Sequence, residues 1–263
     1  MVKLKWDHTV HYVNSLELAI QKFSENGLIA FQGGSHKHWG TYNALSYFDL
    51  CYIEFLGVEN RELAERMIEP NEVVRDSIKL LPSHEVLSRV ALRTDNIEEV
   101  ARHLTKLNVD VSPIMDGKRL DAQGHLIEWR MMTITGDYQG LPYPFVIQWN
   151  ETDEGRRERL IDSGIIQEHS AGEVTITSAE FQVNNPAAVA IHWHRLFGFE
   201  MFEQNVSSES DQWILVVGTQ TFVFIKGDKN RMQKLVFDTS SSELKGKEIT
   251  IGEGEYIFRG GSR

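Results

Sequence analysis

The chain has 263 residues, 41% hydrophobic and 25% charged, with a formal net charge of -11 at neutral pH. That length is enough to bury one large core or two small ones, while the acidic balance argues against binding a phosphate backbone, which needs clustered Lys and Arg. No apolar run approaches the roughly 20 residues of a membrane span, no apolar signal core opens the chain, and the single cysteine, Cys51, excludes an internal disulfide and fits a cytoplasmic setting as an inert buried thiol.

In chain order, residues 4–28, "LKWDHTVHYVNSLELAIQKFSENGL", begin as an alternating strand and become an amphipathic helix. Asn14 and Ser15 introduce that helix; Leu16, Ala19, Ile20 and Phe23 give it one apolar side, and Gly27 ends it. Two strand-like runs follow, "TYNALSYF" and "CYIEFLGV". Segment 59–86 has helical spacing and reads as a link. The strand–helix pattern returns at "LSRVALRTDNIEEVARHLTKLNV", residues 87–109, with Asn96 and Glu99 in a capping box. The runs "HLIEWRMMTIT" and "YPFVIQWN" complete this second unit. Segment 151–172 is highly charged and reads as a connector. The pattern appears a third time at "ITSAEFQVNNPAAVAIHWHRLFGF", residues 176–199, where Asn185 caps, Pro186 starts and Gly198 closes a helix. A fourth unit, from "KLVFDTS" onward, has almost no helix.

This repetition predicts an α+β fold of tandem βαβββ units in two pairs, with the last unit shortened. The expected organisation is a first pair over residues 1–150, a connector over 151–172 and a degenerate second pair over 173–263. Paired units would bury their helices on one sheet face and leave a concave face between them. Strand alternation predicts Trp6, His8, Val10 and Tyr12 on one face and Asp7, Thr9, His11 and Val13 on the other. By that rule His8 and His11 cannot share a cavity. His192 and His194, two apart on a helix, point in different directions and do not converge.

The runs "DHTVHYV", "HKHWGTYNAL", "YIEFLGV", "LIEWRM" and "PFVIQWN" resemble the glyoxalase-like domain family. More broadly, the chain resembles the vicinal oxygen chelate superfamily, which includes glyoxalase I, extradiol dioxygenases and bleomycin-resistance proteins. The narrower resemblance covers about the first 150 residues. It implies a metal centre with one ligand from the first strand and one from the last strand of each unit, holding two adjacent substrate oxygens. His8 and Glu54 match two such positions and are the expected catalytic groups and metal ligands, for manganese, iron, nickel or zinc. Anchoring Val13 to Thr94 puts Arg89 opposite His8, and Gln148 falls opposite Glu54. Arginine is no metal ligand, so the site has two good ligands, one poor one and one cation, and the alternative without a metal stays open. In the third unit Ser178 and Phe224 take these positions and no metal site survives.

Arg89 and Gln148 are therefore expected to orient substrate oxygens, with Arg130 or Trp129 facing inward but not both. His36, Trp39, Thr41 and Asn43 are expected at the cavity mouth, with Tyr143 covering it. The resemblance implies a lyase, isomerase or dioxygenase acting on a small carbonyl- or carboxylate-bearing molecule, or a non-catalytic binder of a small aromatic or cationic one. The expected partners are a small-molecule ligand and a second copy in a homodimer, with neither nucleic acid nor membrane.

Overall fold

The computed structural model describes residues 2–68, 70–120, 124, 126–205 and 211–261. The first unit runs β1 (Lys5–Tyr12), α1 (Leu16–Ser24), β2 (Phe31–His36), β3 (Thr41–Phe48) and β4 (Cys51–Val58). Helices α2 (Arg61–Glu65) and α3 (Glu72–Leu80) form the link. The second unit is β5 (Leu87–Arg93), α4 (Ile97–Lys106), β6 (Met115–Leu120), β7 (Leu126–Met132), the small ribbon β8 (Asp137–Tyr138) and β9 (Leu141–Pro142), and β10 (Phe145–Trp149). Helix α5 (Asp153–Asp162) lies in the connector. Then come β11 (Val174–Val183), α6 (Pro186–Phe197), β12 (Glu200–Asn205), β13 (Asp211–Val217) and β14 (Gln220–Lys226). The shortened fourth unit is β15 (Arg231–Thr239), β16 (Glu248–Ile251) and β17 (Gly254–Gly260), with turns where its helix would stand.

The helix starts follow from the residues singled out in the sequence. Ser15, Asn96 and Asn185 each accept a backbone N–H of the first turn (Leu18, Glu99 and Ala188), satisfying a donor with no partner inside the helix. Gly198 closes α6 in the left-handed conformation at φ 73°.

Strands of the first pair form one eight-stranded sheet in the order β2-β3-β4-β1-β5-β10-β7-β6, with the two units joined by antiparallel pairing of β1 and β5. The second pair repeats this as β12-β13-β14-β11-β15-β17-β16, joined by β11 and β15. One core serves both pairs. The α1 and α4 side of the first sheet packs with residues of the second pair, Trp6 meeting Phe222 at 5.1 Å and Phe48 meeting Phe237 at 4.9 Å between ring centroids. His11, fully buried, is hydrogen-bonded through Nδ1 to Tyr256 of the second pair. On the opposite, concave side of the first sheet, Val10, Tyr12, Leu56, Met131 and Ile147 pack with Val73 and Val74 of α3. The Tyr12 hydroxyl donates to the Val73 carbonyl at 2.7 Å and ties α3 over that face.

Strict alternation fails on β1. Register slips between Trp6 and His8, so Asp7 is a bulge opposite β5. Trp6 therefore turns to the shared core, whereas Asp7 and His8 meet on the concave side. The prediction that Trp6 shares the face of His8 and that Asp7 lies opposite is corrected by this extra residue. The slip recurs in the third unit between Ile176 and Ser178, so the bulge belongs to the repeat.

Candidate functional site

A narrow cavity of about 50 Å³ opens on the concave side of the first sheet. Trp39, Trp129, Trp149, Tyr52 and Phe145 supply its aromatic walls, and His8, His36, Asn43, Glu54 and Arg119 its main polar groups. The expected His8, Glu54, His36, Trp39, Asn43 and Trp129 are thus brought together. Arg89, Gln148 and Arg130 are not.

At the base, His8 sits between two carboxylates. Its Nδ1 is 2.7 Å from Asp7 Oδ1 and its Nε2 is 3.5 Å from Glu54 Oε2. Asn43 Nδ2 donates to Glu54 Oε1 at 2.6 Å. The imidazole stacks on Tyr52 at 4.5 Å and meets the edge of Phe145 at 5.4 Å. Asp7 Oδ2 accepts from Trp149 Nε1 at 3.0 Å and from Arg156 Nη1 at 2.9 Å.

The charges follow from these contacts. Burial opposes ionisation of Glu54, but the His8 hydrogen bond and charge, with His36 and Asn43, hold its carboxyl down at about 2. Burial likewise opposes ionisation of Asp7, and Arg156 and His8 overcome it, keeping Asp7 well below the usual carboxylate range. For His8, burial favours the neutral ring, yet hydrogen bonds to Asp7 and Glu54 raise its pKa above 6.5. His36 has no such partner; burial depresses it to about 4, leaving a neutral ring with Nδ1 3.0 Å from Thr41 Oγ1. The arrangement is a buried carboxylate–imidazolium–carboxylate chain, able to donate a proton from His8 and accept one at Glu54.

Arg89 occupies the position opposite His8, as expected, but its side chain leaves the cavity: Nε donates to Asp76 Oδ2 at 2.8 Å and Nη1 to the Tyr143 carbonyl at 2.7 Å. Gln148 is three residues from the true counterpart of Glu54. Val13 N–H bonds Leu56 O and Thr94 N–H bonds Ile147 O, so Val10 paired with Glu54 corresponds to Ala91 paired with Phe145. Phe145 therefore takes that place. Gln148 faces α4, where its Oε1 accepts from the Ile97 N–H and from Arg130 Nη2, and Arg130 also pairs with Glu98. Trp129 is the inward member of the Trp129–Arg130 pair. In the third unit Glu180 pairs with Val223, so Val223 and not Phe224 corresponds to Glu54; Phe224 packs on Trp193 of α6. Tyr143 does not cover the cavity, since its hydroxyl is 2.8 Å from His192 Nε2. His194 turns instead to the Phe199 carbonyl.

The four positions that would hold a metal are thus His8, Glu54, Arg89 and Phe145. A cation and a phenyl ring cannot ligate, and among the described residues no three His, Cys, Asp or Glu side chains converge to hold an ion. The donor set does not fit a resident divalent metal.

Asp7, Tyr52, Arg119 and Arg156 are site residues that pattern reasoning missed. Adjacency of Asp7 to His8 was the available signal, hidden by the bulge. Close backbone approach also shapes the cavity. A Cβ on Gly117 would lie 2.2 Å from Trp129 Cε2, and one on Gly33 would lie 2.3 Å from Asn43 Oδ1. Gly117→Ala is expected to push the Trp129 wall aside and destabilise the fold by about 1–3 kcal/mol, read as a lower melting temperature with a changed tryptophan emission spectrum.

The sequence over residues 6–197 matches the family model described as "Glyoxalase-like domain". No curated protein matches the chain. A hypothetical protein from Staphylococcus aureus is similar in structure, with a TM-score of 0.83 and 23% identity over 98% of this chain and 99% of that one. A 4-hydroxymandelate synthase variant from Streptomyces coelicolor aligns with a TM-score of 0.52 and 11% identity over 91% of this chain and 72% of that one. A fusion protein of a xylose isomerase-like TIM barrel and a 4-hydroxyphenylpyruvate dioxygenase aligns with a TM-score of 0.56 and 11% identity, covering 91% of this chain and 37% of its own. At these identities the structural likenesses bear on the fold. Among the described residues no helix is long and apolar enough to cross a membrane.

Proposed function

Because the chain belongs to the glyoxalase-like domain family and has the vicinal oxygen chelate fold, we propose that its cavity takes a small, flat, carbonyl-bearing carboxylate and moves a proton next to the carbonyl. The observation that carries this reading is the buried Asp7–His8–Glu54 chain at the base of an aromatic cavity. Glu54 accepts the proton from the carbon, and the His8 imidazolium hydrogen-bonds the oxygen on which negative charge develops. Asn43 holds Glu54 in place. His8 balances Glu54 and Arg156 balances Asp7, so Arg119, the one arginine or lysine among the described lining residues, gives the cavity a local positive charge despite the acidic chain. That charge favours an anion over the cation that the net charge alone would attract. A cytoplasmic setting suits the buried Cys51 thiol, whose pKa burial pushes up to about 12.

Aromatic walls on several sides also support a second reading, non-catalytic sequestration of a small aromatic molecule. A thermal-shift panel tests the substrate class. Phenylpyruvate, as an aromatic 2-oxo acid, is expected to raise the melting temperature, while neutral acetophenone does so less and benzyltrimethylammonium not at all. Stabilisation by the cation alone would overturn the proposed class.

A further inference from the structure

Helix α5 lies outside both pairs of units, in the segment that composition marks as a charged connector. Its neighbouring arginines behave differently: Arg157 is exposed and Arg159 half-buried, whereas Arg156 is 1% exposed. Burying a guanidinium is costly unless it is paired. The pairing it finds is with the cavity. Arg156 Nη1 donates to Asp7 Oδ2 at 2.9 Å, and its guanidinium carbon lies 4.0 Å from the centroid of the Trp149 ring and 5.9 Å from that of Tyr52. Trp149 and Tyr52 both line the cavity, and Tyr52 stacks on His8.

Asp7 sits on a bulge, so the sheet ladder does not by itself fix its carboxylate. Arg156 and Trp149 both donate to Oδ2, which leaves Oδ1 to His8 Nδ1. His8 then presents Nε2 to Glu54. Helix α5 is in turn fastened to the strands that carry this chain. Thr152 caps it; Asp153 accepts from Arg93 Nε at 2.8 Å and from Lys5 Nζ at 2.7 Å; Leu160 packs with Leu45, Tyr47 and Tyr52. Arg93 and Lys5 are on β5 and β1, next to the bulge.

We propose that α5 is part of the functional site and that Arg156 is a positioning residue, which aims Asp7 and through it holds His8 in its working orientation. The connector is then a component of the first pair's cavity. The role follows from three features together: complete burial, a pairing that ends on His8, and a helix tied by Asp153 to β1, the strand of Asp7 and His8, and packed by Leu160 on Tyr52 of β4, the strand of Glu54.

The proposal rests on the reading of His8 as a working group, but its test needs no substrate. The far-downfield proton resonance of His8 Nδ1–H, the donor to Asp7, is recorded at one fixed pH in the full chain and in Arg156→Lys and Arg156→Met, with near-UV circular dichroism as the check on folding. We expect a graded response. Lysine keeps the charge but loses the planar stack, so the resonance moves part of the way upfield; methionine moves it further or abolishes it. A folded Arg156→Met whose resonance stays at the wild-type position overturns the proposal. If Arg156→Met does not fold, Arg156→Lys decides alone, a moved resonance supporting the proposal and an unmoved one overturning it. Failure of every carbonyl compound to react would count against the proposed chemistry and leave this result standing.

Discussion

Glu54→Gln is expected to lower turnover of a carbonyl-bearing substrate by about 10²–10⁴-fold, with the fold and ligand binding largely kept. The amide has nearly the shape of the carboxylate and can still meet Asn43, whose Nδ2 lies 2.6 Å from Glu54 Oε1. What it lacks is a basic oxygen. His8→Ala is expected to be at least as damaging, because it removes the proton donor and leaves Asp7 and Glu54 facing each other without the intervening charge. The pH profile follows from the same geometry. His8 must be protonated to donate, and against the effect of burial hydrogen bonds to Asp7 and Glu54 raise its pKa above 6.5, so activity should fall as pH rises through that raised value. Glu54, held down at about 2, supplies no acid limb in the range where the protein is folded. Steady-state kcat/KM of wild type and both variants across pH checks this. A non-catalytic pocket would instead show Glu54→Gln changing affinity alone.

The second large effect is acid lability of the fold. His11 and His36 are buried and neutral, with pKa values depressed mainly by burial to about 3 and about 4. A histidine with a depressed folded pKa contributes stability above its unfolded value of about 6.5 that is lost as pH falls, because the unfolded chain takes up the proton first. At pH 5 this amounts to about 2 kcal/mol for each, or about 4 kcal/mol together. His8 has the opposite sign: its raised pKa contributes stability fully present below about 6.5 and lost as pH rises through its folded value. Asp7 and Glu54, both lowered, contribute stability present above their ordinary values and withdrawn only in stronger acid. Denaturant unfolding at pH 7 and pH 5 measures the loss. His11→Asn, which can still offer an acceptor to Tyr256, should shrink the difference between the two pH values by about 2 kcal/mol; an unchanged difference would remove His11 from the explanation.

His11 also shows how much of the architecture could be read from residue order. The strand–helix repeat, the caps at Ser15, Asn96 and Asn185, and the missing fourth helix are all local signals, and each appears where the sequence puts it. His11 and His8 do lie on opposite faces, because the slip at Asp7 precedes both and the second irregularity, between Thr9 and His11, puts its extra residue on β5 and not on β1. The bulge itself leaves no trace in composition, so Asp7 was assigned to the wrong face. Register in β10 is another blind point: with the β8–β9 ribbon and Pro144 before it, Phe145 and not Gln148 takes the place of Glu54, and the pairing of β10 with β5 and the Thr94–Ile147 hydrogen bond fix it. Arg156 could not be told from Arg157 or Arg159 by composition, since its burial depends on how α5 docks. The pairing of Arg89 with Asp76 likewise depends on the fold of α3, remote in sequence from β5.

Hydrogen–deuterium exchange in D₂O tests the central claim most directly. The carbon-bound proton next to the carbonyl of aromatic 2-oxo acids and aryl ketones is followed by NMR, with protein treated with chelator and then left metal-free. The His8–Glu54 chain predicts exchange accelerated by wild type for at least one such compound and returned to the uncatalysed rate by Glu54→Gln. Equal rates with wild type and Glu54→Gln, or exchange restored only by added divalent metal, would contradict proton transfer by these two residues.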